Sequence, residues 1–286
     1  MLSYRHGFHA GNFADVLKHA LLALTIQALK QKDKPFLYID THAGAGKYRL
    51  DSEYARKTGE CADGVVKLWR QAEPPPELRD YLAAVRAENV GGELLRYPGS
   101  PQLARRLLRA QDRLWLSELH NTDFAALREL FAGDKQVTVS MEDGLERLEK
   151  KLPPPQKRGL VLIDPSYEMR SEYRQVLQAV VAAHRRFATG VYAVWYPVLE
   201  RAALEKWLRE WAATGIERQL RIEHCVAPDG AGRGMTGSGM LFINPPWRLD
   251  EQAKVLLPWL NHVLADGRGE WLVHWQVPES AGAEFE

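Results

Sequence analysis

The run Gly159-Leu160-Val161-Leu162-Ile163-Asp164-Pro165-Ser166-Tyr167 constrains the fold more than any other stretch of the chain. An apolar run closed by Asp-Pro suits a short strand buried on both faces, as strands of parallel sheets are. The pattern recurs upstream. Pro35-Phe36-Leu37-Tyr38-Ile39-Asp40 and Leu114-Trp115-Leu116-Ser117-Glu118 both end in an acid, and Gln136-Val137-Thr138-Val139-Ser140 runs into Met141-Glu142-Asp143-Gly144. Helical patterns separate these runs, and strands alternating with helices argue for an α/β fold with a parallel sheet. In such sheets ligands bind beyond the carboxyl ends of the strands. Acids placed repeatedly at strand ends therefore predict one polar cleft. Further strands are expected at 191–196, 219–226 and 240–243, which brings the sheet to seven.

Composition narrows the partner and the compartment. The 286 residues suffice for one large domain, or for a core domain carrying an insert. A net charge of +1 provides no global basic field, so a nucleic acid would have to be held by local patches. No apolar run is long enough to cross a bilayer, and the start, Met-Leu-Ser-Tyr-Arg-His-Gly-Phe-His, has no signal-peptide core. Cys61 and Cys225 are far apart, which argues against a disulfide framework or a zinc knuckle. The expectation is a cytoplasmic monomer with no membrane and no metal.

The loop after the first strand, Thr41-His42-Ala43-Gly44-Ala45-Gly46-Lys47, is a nucleotide-type turn. A phosphate loop needs Ser or Thr after the Lys, and Tyr48 stands there. A dinucleotide loop needs a third glycine, and Arg49 stands there. An S-adenosylmethionine loop needs fewer glycines because no pyrophosphate has to approach, and the acidic strand end, Asp40, suits its cationic methionine moiety. Glu118 at the next strand end can accept both hydroxyls of a ribose. Asp143 and Gly144 can read the amine and adjacent nitrogen of an adenine ring. Ser100-Pro101 opens a helix, with Ser100 expected as its N-cap and the helix start as an anion site. At the centre, Asp164 and the Pro165 carbonyl can each accept one hydrogen of an exocyclic amine, while Tyr167 stacks on the ring that carries it. Asn12 is expected to cap a buried helix that holds Lys18 and His19, with Asp15 in a capping box. Residues 50–95 are polar and helical in pattern, and the second core strand comes late, so this stretch is expected to be an inserted helical subdomain between core segments 1–49 and 96–286.

Taken jointly, these motifs resemble Rossmann-like S-adenosylmethionine methyltransferases that methylate amines, whose signature is Asp/Asn/Ser-Pro-Pro-Tyr/Phe/Trp. With Tyr4-Arg5-His6, Gly11-Asn12-Phe13-Ala14-Asp15-Val16-Leu17-Lys18-His19, Tyr97-Pro98-Gly99-Ser100-Pro101 and Gly234-Met235-Thr236, the chain resembles the bacterial 23S rRNA (adenine(2030)-N6)-methyltransferase J family over nearly its whole length. The resemblance implies a class I methyltransferase fold with a mostly parallel sheet, an antiparallel last strand and a small helical insert. It implies S-adenosylmethionine as cofactor and 23S rRNA as partner. Cofactor contacts are implied at His19, His42, Ser100, Glu118, Asp143, Gly144 and Asp164, with Lys18 as a neighbour and Asp40, Gly44 and Gly46 in the loop. Asp164 is implied as the catalytic residue and Tyr4 as an RNA contact. Tyr4, Arg5, His6, Arg170, Arg174 and Arg233 are the candidates for a local phosphate patch.

The chain departs from the signature at Ser166, where the family pattern has Pro. A second stretch, Asn244-Pro245-Pro246-Trp247, matches the written signature better. An antiparallel last strand would point it away from the cofactor face, with Trp247 as packing and the Gly234–Gly239 loop as a substrate wall. Two other functions fit the motifs. One is a DNA methyltransferase acting on adenine N6 or cytosine N4. The other is a non-catalytic nucleic-acid-binding protein with a vestigial cofactor loop.

Overall fold

The computed structural model describes residues 6–231 and 234–280. Its strands are β1 (Leu37–Asp40), β2 (Lys47–Arg49), β3 (Arg96–Pro98), β4 (Arg113–Ser117), β5 (Val137–Ser140), β6 (Gly159–Ile163), β7 (Val191–Val198), β8 (Gln219–Cys225), β9 (Gly237–Ile243) and β10 (Glu270–Val277). Its helices are α1 (Phe13–Lys30), α2 (Glu53–Thr58), α3 (Val65–Trp69), α4 (Arg79–Ala87), α5 (Ser100–Leu107), α6 (Asn121–Leu130), α7 (Gly144–Leu148), α8 (Arg170–Arg186), α9 (Arg201–Ala212) and α10 (Leu249–Ala265).

The main sheet runs in the order β10-β8-β9-β7-β6-β1-β4-β5. Strands β7, β6, β1, β4 and β5 are mutually parallel. Strand β9 runs against both β7 and β8, as expected for the 240–243 segment. The sheet has eight strands rather than seven. The additional one, β10, pairs antiparallel with β8 at the edge. It lacks a buried apolar run because an edge strand is only half covered, and its mixed sequence Glu-Trp-Leu-Val-His-Trp-Gln-Val reflects that.

Alternation along the central strands divides the core between two faces. Tyr38, Leu160 and Leu162 join α1, α5 and α10 on one face. Ile39, Val161 and Ile163 join α8 and α9 on the other. The chain leaves β1 for β4 on one side and reaches β6 on the other, which is the topological switch where open α/β sheets bind ligands. Asp40 pairs in register with Leu116 on one side and Leu162 on the other, so the ends carrying Asp40, Glu118 and Asp164 finish at one edge of the sheet.

Helix α1 is buried nearly all round, including Asp15, Lys18 and His19. Asn12 caps it by accepting the Asp15 N–H at 2.9 Å. The Asp15 carboxylate returns a bond to the Gly11 N–H, one residue earlier than a capping box would. In the 50–95 stretch, Val65, Leu68, Tyr81, Leu82 and Val85 join the core around α1. Its two ends are tied together where β2 pairs antiparallel with β3. Glu60 from this stretch accepts from Asn12 Nδ2 and pairs with His9, both at 2.9 Å.

A backbone contact fixes that docking. Val65 donates its N–H to the Gly11 carbonyl at 2.8 Å. A Cβ on Gly64 would fall 2.1 Å from the same carbonyl oxygen, which belongs to backbone and cannot turn aside. Gly64→Ala is expected to destabilise the protein by about 1–3 kcal/mol through overpacking. Urea unfolding monitored by circular dichroism checks this, with Gly91→Ala as control because its φ is not positive and nothing lies within 4 Å of a Cβ there.

Candidate active site

The carboxyl edge of β6 carries the most charged buried cluster near the switch point. Lys18 Nζ lies 2.5 Å from Asp164 Oδ2 and 2.8 Å from Asp15 Oδ1, and its side chain is 3% exposed. His6 Nε2 lies 2.9 Å from Asp15 Oδ2. A buried ammonium survives only when paired. Burial alone would strip its proton, but Asp15 and Asp164 outweigh burial and raise the Lys18 pKa, so it stays a cation. Burial acts to raise Asp15 as well, yet His6 and Lys18 hold it well below the usual carboxylate range. At Asp164 burial wins and the pKa is raised, against the opposing pull of Lys18 and His6.

Beside this cluster lies a cleft of about 1040 Å³, its open mouth included, lined among others by His19, His42, Gly44, Ser100, Glu118 and Asp164. Asp143 and Gly144 also line it. Glu118 accepts the Gly44 N–H at 2.7 Å and the His120 N–H at 2.6 Å, and burial raises its pKa. Gly44 has φ 59°, and a Cβ there would meet the Tyr48 hydroxyl at 2.2 Å. Gly144 approaches the Thr41 carbonyl so closely that a Cβ would fall 2.2 Å from its oxygen. Asp143 Oδ1 caps α7 by accepting the Leu145 and Glu146 N–H groups, so it is a helix cap as well as a wall of the cleft.

His19 and His42, which both line this cleft, are neutral. His19 meets the Tyr97 hydroxyl through Nδ1 at 2.8 Å, and burial pushes its pKa down to about 3. His42 Nδ1 meets Thr41 Oγ1 at 2.8 Å, and burial lowers its pKa to about 4. Among the described residues, His19 Nε2 and His120 Nδ1 are buried, line this cleft and have no hydrogen-bond partner. Buried polar atoms left without a partner cost stability.

The structure separates other expected residues from the cleft. Asp40 is fully buried behind it, accepting from Tyr38 Oη at 2.8 Å, Ser100 Oγ at 2.7 Å and the His42 N–H at 3.2 Å. It acts by holding Ser100 and His42, which do line the cleft. Gly46 (φ 76°) turns toward Leu127 and Leu130 in the core. Ser100 is the first residue of α5 rather than its cap. Gly99 holds the extended N-cap conformation, because the Ser100 hydroxyl is committed to Asp40.

Pro165 is buried. Tyr167 departs from the expected stacking position. It has φ 52°, is 6% exposed, and donates its hydroxyl to the Trp195 carbonyl at 2.8 Å. Its ring packs against Tyr173 at 4.3 Å between centroids, inside the α8–α9 core. Tyr4, Arg5 and Arg233 lie outside the described residues.

A second recess of about 600 Å³ shares His6, Lys18, Asp164 and Ser166 with the first, and Trp195 and Met235 form part of its far wall. Met235 brings the glycine-rich loop to this recess. Asn244 is at the opposite edge of the sheet, donating to the Ala188 and Gly190 carbonyls. Trp247 is 83% exposed and not packed. Sequence reasoning did not single out His120, Asp123 or Trp195, which line the two recesses. His120 follows an acidic strand end by two residues, which is a usable signal. Trp195 sits mid-strand, where an aromatic normally means core. Among the described residues, no group of three His, Cys, Asp or Glu side chains is placed to hold a metal ion, and no helix is long and apolar enough to cross a membrane.

The family model described as Ribosomal RNA large subunit methyltransferase D, RlmJ, matches residues 33–277. The chain belongs to this family. It is 51% identical over 280 residues to Ribosomal RNA large subunit methyltransferase J of Escherichia coli (strain K12), covering 98% of this chain and 100% of that one. It is 49% identical over 281 residues to the protein of the same name from Haemophilus influenzae, again covering 98% and 100%. A crystal structure of a Legionella pneumophila protein, 38% identical, superposes with a TM-score of 0.88 over 93% of this chain and 98% of that one. The family membership accounts for the methyltransferase topology around the β1–β6 switch.

Asp40 generates a pH prediction. Burial raises its pKa to about 6 from an ordinary 3.8. The folded protein then holds a proton that the unfolded chain releases, so this group weakens the fold as pH rises from about 4 to about 6. Asp40→Asn should lose that dependence. Relative to wild type, its unfolding free energy should improve between pH 4 and pH 7 by on the order of 3 kcal/mol, measured by urea titration at both pH values.

Proposed function

We propose that the protein transfers a methyl group from S-adenosylmethionine to the N6 amine of one adenine in 23S rRNA. The observation that carries this reading is Asp164, whose carboxylate stands where the two recesses meet. One recess fits the cofactor. Glu118 suits the ribose, and Asp143 and Gly144 suit the adenine ring. The names of the family and of its relatives point to ribosomal RNA as the substrate. The cofactor supplies an electrophilic methyl on a sulfonium.

The protein's task is to shape a poor nucleophile. The lone pair of an aromatic amine is delocalised into its ring. An amine in the second recess would donate one hydrogen to Asp164 and the other to the Pro165 carbonyl, drawing the nitrogen toward a tetrahedral shape. Lys18 occupies Asp164 Oδ2, which leaves Oδ1 for the amine. The lone pair then faces the first recess, in line for transfer, so the gain is mainly positioning and electrostatics. Asp164 need not take the proton beforehand, because the amine becomes acidic only after gaining the methyl. Lys18 favours the ionised carboxylate, which is the form that accepts. Ser166 leaves the Pro165 carbonyl in place while bonding weakly to Glu172 at 3.5 Å. A base inside a helix cannot reach this recess, so the target is flipped out or single-stranded.

The decisive experiment incubates unmodified 23S rRNA with labelled S-adenosylmethionine and maps the methyl. Wild type should label one adenine at N6, and Asp164→Ala should lower the rate by about 10²-fold or more. No transfer by wild type, or unchanged transfer by Asp164→Ala, contradicts the assignment. Lys18→Met gives a second outcome. Without the cation the Asp164 pKa climbs further, so the acid limb of the pH–rate profile should move to higher pH. An unmoved limb would show that Lys18 does not set the charge of Asp164.

A further inference from the structure

The chain departs from the methyltransferase signature at the residue after the acceptor carbonyl, where Ser166 stands in place of Pro. A proline there would act on two residues. It would fix its own φ at about −65°, and its ring would confine the ψ of the residue before it, the torsion that aims the Pro165 carbonyl. Serine imposes neither restraint. Among the described residues, the backbone of 165–167 makes no hydrogen bond to other backbone. Tyr167 follows with φ 52°, a left-handed conformation that a bulky residue keeps only when its surroundings hold it there. Side chains therefore hold this loop. Lys18 takes Asp164 at 2.5 Å, and the Tyr167 hydroxyl reaches the Trp195 carbonyl at 2.8 Å. Between them, Ser166 Oγ donates to Glu172 Oε1 at 3.5 Å, and both residues line the first cleft. Glu172 is itself fixed in the first turn of α8. Its Oε2 accepts the Met169 N–H at 3.0 Å, and its own N–H returns a bond to the Met169 carbonyl at 3.0 Å.

We propose that Glu172 is a positioning residue that tethers the acceptor loop through the Ser166 hydroxyl, supplying by a side-chain contact part of the restraint that the signature places in a proline ring. The assignment rests on the amino-methyltransferase reading of the site. In that reading Asp164 and the Pro165 carbonyl receive two hydrogens of one nitrogen at the same time, so their relative placement sets the rate. Lys18 fixes the Asp164 side. The free variable is the peptide plane between Pro165 and Ser166, whose rotation swings the carbonyl away from the amine. A tether on the Ser166 side chain limits that rotation. At 3.5 Å it is longer than an ordinary O–H···O bond, so it steers the loop without clamping it, and its effect on rate is modest. Glu172 acts here through Ser166 and touches no reacting atom.

The test is a double-mutant cycle read as single-turnover methyl transfer to unmodified 23S rRNA. Enzyme and labelled S-adenosylmethionine are both saturating, so binding drops out of the rate. Ser166→Ala removes the hydroxyl and leaves the bonds between Glu172 and Met169 intact. It is expected to slow transfer about three-fold. Glu172→Ala should cost about three-fold more in the wild-type background than in a Ser166→Ala background, because there the tether is already gone. In a Ser166→Pro background, where the ring restores the restraint covalently, Glu172→Ala should again cost about three-fold less than in wild type. A Glu172 that only capped α8 would cost the same factor in every background. Equal losses from Glu172→Ala with Ser and with either replacement at 166 therefore overturn the proposal, and so does a Ser166→Ala enzyme that transfers at the wild-type rate. Should Ser166→Pro fail to fold, the Ser166→Ala cycle decides alone. Absence of transfer by wild type would instead overturn the underlying function, and with it this role.

Discussion

A buried lysine between two aspartates organises the reaction end of this molecule. Lys18 belongs to α1, Asp15 lies one turn before it, and Asp164 arrives from the end of β6, far away in sequence. None of the three charges would be tolerable alone at that depth. Together they fix the relation between a helix on one face of the sheet and the strand end beside it. The cluster also divides space. It stands on the shared boundary of two recesses, with Lys18 and Asp164 in the wall of both.

The other strand-end acids serve that boundary in unequal ways. Glu118 is tied by two backbone N–H groups, yet its carboxylate still lines the cleft. Asp143 divides its duties between a helix cap and the wall. Asp40 is withdrawn behind the wall and saturated by Tyr38, Ser100 and His42. Acids at equivalent positions in the sequence pattern thus range from ligand-facing to purely supporting. What separates them is depth: Asp40 is fully buried and lines no part of the cleft, whereas Glu118 and Asp143 reach its wall.

The sheet and the location of the cleft were legible because short apolar runs and their terminal acids are local patterns. The order of those runs ranked Asp164 above Asn244, and β9 indeed sends Asn244 to the opposite edge. Three features were not legible. Strand β10 carries no buried run because it lies at the edge of the sheet. Tyr167 turned inward because Trp195 offers its hydroxyl an acceptor and Tyr173 and Trp207 offer its ring a core, partners that only the tertiary fold brings near. Trp195 was not singled out because a strand interior full of apolar residues does not reveal which aromatic ring will border a recess.

The attachment of the 50–95 stretch has a mechanical consequence. Glu60 grips Asn12 and His9, and Val65 grips the Gly11 carbonyl, all at the very start of α1. From Asn12 to Lys18 is about 9 Å along a helix that rises 1.5 Å per residue. A helix this short does not stretch, so the stretch and the ammonium ride on one stiff rod. Any load that slid the 50–95 stretch along the axis of α1 would carry Lys18 past Asp164 by the same amount. A surface remote from the cleft in sequence is thereby in register with the charge at its centre.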